Sequence, residues 1–250
     1  MEMEWLAYLL LFFTGFVDAI AGGGGLISLP TFLAVGVPAH MALGTNKFSV
    51  FAGTGISAAY FAKKGHVQWS TALIAFTGAL ISSALGARIA LLVDERVLSW
   101  LLIAAVPVVA VVLFTKKEFG AETKTMSIAR ARTYSFAIGL AIGAYDGFFG
   151  PGTGTFLIMA FTLVMGMNLM DACGNTKVVN FASNVAAVVL FIVKGEVDYR
   201  LGVPCALCAI IGNWIGSRLA IRNGARIVRP MMVFVILLLL GKVVVDLVRG

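Results

Sequence analysis

The sequence predicts an all-α integral membrane protein, a helical bundle of two homologous repeats with about 8–10 transmembrane segments and glycine-broken helices. Three observations carry that expectation. The 250-residue chain is 60% hydrophobic with a mean hydropathy of +0.98, more apolar surface than a soluble core absorbs, and several of its apolar runs are long enough to span a bilayer. The chain also repeats itself: Gly44-Thr45-Asn46-Lys47 returns 130 positions later as Gly174-Asn175-Thr176-Lys177, Gly65-His66-Val67 as Gly195-Glu196-Val197, and Gly86-Ala87-Arg88 as Gly216-Ser217-Arg218. Such ordered matches of Lys and Arg are hard to obtain by chance in a chain only 12% charged. Finally, each half opens on an acid followed by a glycine-rich break: Asp18 with Gly22 to Gly25 in GFVDAIAGGGGLISLP, and Asp146 with Gly147, Gly150, Gly152 and Gly154 in GAYDGFFGPGTGTFLI.

Transmembrane repeat 1 covers residues 1–115, with segments at 4–21, 25–37, 41–62, 67–92 and 96–115. A basic cytoplasmic linker follows at 116–132, carrying Lys116, Lys117, Lys124, Arg130 and Arg132. Transmembrane repeat 2 covers 133–250, with segments at 133–150, 153–169, 176–193, 198–221 and 226–248. Residues 25–37 fall short of the ~20 needed to cross unaided, so this segment either completes a discontinuous helix or is re-entrant. Five crossings per half, with the acidic MEMEW start outside and retained, put Lys63-Lys64, the linker and the Arg222–Arg229 loop on the cytoplasmic side, as the positive-inside bias requires. An odd count makes the repeat inverted. Re-entrant second segments would instead give parallel repeats and turn Lys63-Lys64 outward.

Composition and motifs also exclude. The net charge of +7 is spread in short clusters between apolar runs, the pattern of membrane-flanking loops, so nucleic acid is not an expected partner. Cys173, Cys205 and Cys208 are too few for a disulfide framework, and Cys205-x-x-Cys208 without a second Cys or His pair reads as small-residue helix packing. His40 and His66, the available imidazoles, are expected in loops, and neither a metal site nor a cofactor is expected. No phosphate-binding Gly-x-x-x-x-Gly-Lys loop is present. Tyr145-Asp146 lacks the Gly-x-Gly-Asp partner of an intramembrane aspartyl protease, so the chain does not read as an enzyme.

The chemistry-bearing residues gather at the breaks. Four glycines in a row disfavour a helix by roughly 1 kcal/mol each, and the backbone groups freed at membrane depth must line protein or a watery cavity. The breaks therefore read either as close packing or as an anion cradle. Gly22, Gly23, Gly24, Gly25, Gly150, Gly152 and Gly154 would supply N–H groups, Ser28, Thr31, Thr153 and Thr155 hydroxyls, and the following helix starts their positive dipole ends. Asp18 and Asp146 serve either as helix caps or as proton or ion carriers. Lys47 and Lys177 either snorkel to the interface or turn inward to meet those acids or an anion. Asn180, with Ser183 and Asn184, brings a polar stripe into the bundle. Arg88 and Arg218 read as interfacial anchors, and Trp5, Trp69, Trp100 and Tyr199 as belt residues.

The double motif, Gly15 to Pro30 with Gly44-Thr-Asn-Lys47 and Asp146 to Leu157 with Asn175 to Asn184, resembles the TauE/SafE (TSUP) family of membrane transporters, in its YfcA-like bacterial branch, over essentially the whole chain. The resemblance implies a multi-pass protein of the bacterial inner (plasma) membrane, a secondary transporter exporting small anions, carboxylates or sulfur-containing ions such as sulfite or organosulfonates. The residue roles above come from the repeated motifs, with alternating access as the mechanism. The partners expected are the small anionic substrate and the lipid bilayer, with a homo-oligomer left open. The alternative is a membrane scaffold or assembly subunit that transports nothing.

Overall fold

The computed structural model describes residues 2–98, 100–101 and 126–235. Most of the segment expected at 96–115, most of that at 226–248 and most of the linker lie outside the described residues. Regular structure among the described residues is helical throughout, without a strand. The first half contributes α1 (Glu2–Ala21), α2 (Gly25–Ala34), α3 (Ala39–Lys63) and α4 (Trp69–Ala90). The second contributes α5 (Ile128–Phe148), α6 (Thr153–Met159, running on as a π-helical turn Ala160–Val164), α7 (Leu169–Val193) and α8 (Tyr199–Asn223). Of these, α1, α4, α7 and α8 are long and apolar enough to cross a membrane.

Several boundaries differ from the sequence expectation, each for a local reason. α7 begins at Leu169, not at 176, because Asn168 caps it: its Oδ1 accepts the Asp171 N–H at 2.9 Å. α5 begins at Ile128, not at 133, so Arg130 and Arg132 are helical and exposed. His40 is not in a loop but in the first turn of α3, where Nε2 lies 3.1 Å and 3.0 Å from the carbonyls of Ala90 and Val93. α2 has 10 residues, about 15 Å at 1.5 Å per residue, half a bilayer core. It doubles back along α1, since the 35–38 link sits with Glu4 and Tyr8, which begin α1, and with Leu201 of α8.

Helix directions follow from paired contacts. Gly139, Gly143 and Gly147 of α5 meet Ala75, Ala79 and Ser83 of α4 in rising order, so these two helices are parallel. α1 and α8 are parallel in the same way, Gly212 meeting Phe12 and Gly216 meeting Phe16. These two pairs make the most extensive contacts in the bundle. Glycine allows it: a Cβ at Gly139, Gly147 or Gly212 would fall within 2.1 Å of a carbonyl oxygen on the facing helix, the small-residue seam of membrane helix packing.

The repeated Gly44-Thr45 and Gly174-Asn175 positions are where each half grips the other. Gly44 lies against the Glu196 carbonyl and Gly174 against that of His66, at distances no Cβ would tolerate. Beside them, Thr45 Oγ1 accepts the Asp198 N–H at 2.9 Å and Asn175 Oδ1 accepts the Gln68 N–H at 2.8 Å. The aligned Gly65-His66-Val67 and Gly195-Glu196-Val197 motifs are thus the turns that seat on the opposite half. Trp5, Trp69, Trp100 and Tyr199 are exposed, as are Arg88 and Arg218, the latter with its guanidinium 4.1 Å from the centre of the Trp214 ring.

Candidate functional site

Asp18 and Asp146 lie in the last turns of α1 and α5, the ends where a helix dipole disfavours a negative charge. Neither caps the helix after the break: the N-cap positions are Gly24 and Gly152, and no side chain bonds there. The lysines hold them instead, turned inward rather than snorkelling and buried to 2% and 0% exposure. The pairing is crossed. Lys47 of α3 in the first half reaches Asp146 of the second, Nζ to Oδ2 2.7 Å. Lys177 of α7 reaches back to Asp18, donating to its main-chain carbonyl with Nζ 3.6 Å from Oδ2.

Desolvating an ion costs several kcal/mol, recovered only where the geometry is good and further hydrogen bonds complete the shell. The Lys47–Asp146 pair meets that condition. Ser183 Oγ donates to Asp146 Oδ2 at 2.5 Å, and Lys47 Nζ also donates to Asn184 Oδ1 at 3.1 Å.

The two glycine breaks touch. Gly22, at φ +76°, and Gly154 approach so closely that a Cβ on either would lie 2.4 Å from the other's backbone. Thr155 Oγ1 bridges the same junction by donating to the Ala21 carbonyl at 3.0 Å. Tyr145 ties the second break to its own helix, donating from its hydroxyl to the Pro151 carbonyl at 2.5 Å. The α1 end and the α6 start are thereby joined without an intervening side-chain layer.

A polar cavity of about 30 Å³ opens beside this junction, room for about two waters. Of the residues the sequence singles out, Asp18, Gly22, Gly24, Gly25, Lys47, Asp146, Gly150, Thr153, Gly154, Asn180 and Asn184 line it. The others sit behind. Gly23 abuts the Val235 side chain, Gly152 caps α6 at φ +82°, and Lys177 lies under Asp18. Ser28, Thr31 and Thr153 donate to carbonyls of their own segments, those of Gly24, Ile27 and Gly150. Thr14 and Thr54 also line the cavity, and sequence reasoning passed over both. Thr14 precedes Asp18 by four residues, one helical face, and Thr54 occupies the position that Asn184 holds 130 residues on. Among the described residues no three His, Cys, Asp or Glu side chains gather as a metal would need. What the cavity offers is ammonium, carboxylate and amide groups with glycine backbone, an arrangement able to bind a small ion and exchange it for an internal one.

Comparison with known proteins places this geometry among relatives. The family model of the sulfite exporter TauE/SafE matches residues 7–243. A probable membrane transporter protein, ORF9, of Sinorhizobium sp is 36% identical, the match covering 96% of this chain and 93% of that protein. A probable membrane transporter protein of Haemophilus influenzae is 34% identical, over 94% of this chain and 92% of its own length. The probable membrane transporter protein YfcA of Escherichia coli is 32% identical, over 93% and 86%. No solved structure matches the chain.

Proposed function

Because the chain belongs to the sulfite exporter TauE/SafE family of membrane transporters, we propose that it carries small anions, sulfur-containing ones such as sulfite or organosulfonates, by alternating access across a bacterial inner membrane that it crosses several times. The observation that carries this reading is the pair of crossed Lys–Asp bridges flanking a cavity where both breaks meet. Each carboxylate stands where an anion would sit: against a buried ammonium, beside freed glycine backbone and the start of a short helix. A substrate anion competes for the lysine with the protein's own acid, so binding loosens a contact between the two halves. A cavity with room for about two waters is the occluded form, and opening to either side is needed to admit an oxyanion.

The helix directions support the inverted repeat that such carriers use. The start of α3 meets the end of α4, so those two are antiparallel. α3 shares the direction of α8, and hence of α1: Ser49 meets Gly202, and Ser57 meets Asn213. α5 follows α4 and so opposes α1. The half-length α2 does not upset this, because α1 and α2 together return to the end where they began. Expelling one net negative charge from a negative interior gains ~2.3 kcal/mol per 100 mV, so export proceeds without a nucleotide.

The test is flux through purified protein in proteoliposomes, with sulfite, thiosulfate, short sulfonates and small carboxylates and an imposed potential. Saturable flux of at least one of these anions, with mutual competition and acceleration by a potential positive on the receiving side, is the expected result. Folded protein that passes none of them leaves the scaffold reading standing.

A further inference from the structure

Asp18 and Asp146 occupy equivalent places in the two halves, yet their surroundings differ, and the sequence says why. Asp146 is held by Lys47 and by the Ser183 hydroxyl, and Lys47 in turn by Asn184. At the positions 130 residues earlier stand Gly53 and Thr54. Glycine has no hydroxyl to offer Asp18, and Thr54 donates to the Val50 carbonyl of its own helix at 2.9 Å. Lys177 likewise donates to the Asp18 main chain and stays 3.6 Å from Oδ2. Among the described residues Asp18 Oδ2 is therefore buried with no hydrogen-bond partner, and so are Thr14 Oγ1 and Asn46 Oδ1. All three residues line the one cavity and are at least nine-tenths buried.

A buried polar atom without a partner is costly, and three of them around a space for about two waters call for a bound water or a proton. We infer that Asp18 is the carboxylate through which this protein exchanges a proton with its cavity, while Asp146 is the fixed partner of Lys47. Among the described residues the charged groups facing Asp18 are Lys177 from α7 and, across the cavity, Lys47 from α3 and Asp146 from α5. α2 and α6 carry no titratable side chain. α8 turns Gly212 and Gly216 to α1 and keeps Arg218 on Trp214. The helical stretch 225–235 presents Val235 at Gly23 and leaves Arg226 and Arg229 exposed.

The consequence for transport rests on the carrier reading. An anion arriving beside Lys47 brings a second negative charge toward Asp18, and a proton from the bulk solvent, relayed through the cavity water onto Oδ2, removes that repulsion, so cargo and proton cross together. A divalent anion accompanied by one proton keeps one net negative charge and is still driven outward by the potential.

Asp18→Asn and Asp146→Asn test the assignment with two readouts that need no substrate and one that does. In the infrared difference spectrum of purified protein titrated through neutrality, a protonated-carboxyl stretch is expected in the wild type and in Asp146→Asn and is absent from Asp18→Asn. Asp146→Asn melts lower than the wild type, and Asp18→Asn loses less, because Lys177 keeps its bond to the main-chain carbonyl at position 18. In proteoliposomes, one unit of pH gradient sustains about tenfold accumulation for a one-proton carrier; in Asp18→Asn the accumulation falls to about onefold, and any anion flux that remains no longer follows the pH gradient. Should Asp146→Asn fail to fold, Ser183→Ala keeps both carboxylates, and the band must again vanish on adding Asp18→Asn. A band that survives Asp18→Asn, or a wild type without one, overturns the inference. A band assigned to Asp18 in protein that moves no anion sinks the transport reading and leaves the proton site standing.

Discussion

Lys47→Met is expected to lower stability by about 3–5 kcal/mol, the cost of leaving one ion of a buried pair unpaired. Asp146 would keep the Ser183 hydroxyl but lose the only cation that pairs with it among the described residues, at the end of α5 where the dipole already opposes it. Adding Asp146→Asn should recover most of that loss, because replacing both members of a buried bridge is often neutral. Thermal melting in detergent reads the first effect and its rescue. Flux reads something else: the rescued double variant has no internal anion to exchange and no ammonium to receive a substrate, and it is expected to transport nothing. A double variant that is stable and still carries anions would mean that the bridge serves only folding.

Gly22→Ala is the second severe change. Its φ of +76° belongs to the left-handed region, which costs a non-glycine residue about 1–2 kcal/mol, and its Cβ would fall 2.4 Å from the Gly154 backbone. Backbone cannot step aside as a flexible side chain does, so overpacking adds about 1–3 kcal/mol. Gly36→Ala is the control: φ is +88°, but no atom of the described residues lies within reach of the added methyl, so only the conformational cost applies. Melting temperatures should fall in the order wild type, Gly36→Ala, Gly22→Ala. Equal losses at the two positions would mean that the junction of the breaks is not closely packed.

Much of this was legible before any coordinates. The repeat offset marks the residues that make equivalent contacts, because a duplicated unit reuses its own packing: Gly44 and Gly174 are aligned in sequence and each receives a carbonyl from the opposite half. The polar candidates were visible because charged and amide groups stand out against apolar sequence, and Asp18, Lys47, Asp146, Asn180 and Asn184 do line the cavity. What stayed hidden was relational. That Lys47 answers to Asp146 rather than Asp18 depends on which helices lie side by side, and no local pattern records it. The 169 start of α7 was in principle readable, since Asn168 and Asp171 have the spacing of a helix cap, but the apolar run that begins later is the louder signal. The difference between the two aspartates hangs on Gly53 against Ser183 and Thr54 against Asn184, substitutions unremarkable until the structure points each residue at its neighbour.

The glycine seams carry one more consequence. Two helices whose backbones touch have no side-chain layer in which to slide, and shear between packed helices needs that layer. α1 with α8, and α4 with α5, are therefore each welded into one rigid body, and each body takes one helix from either half of the chain. Under the alternating access proposed above, the motion would divide the protein across its repeats, with α3 and α7, the helices that carry the two lysines, as the struts between the moving parts.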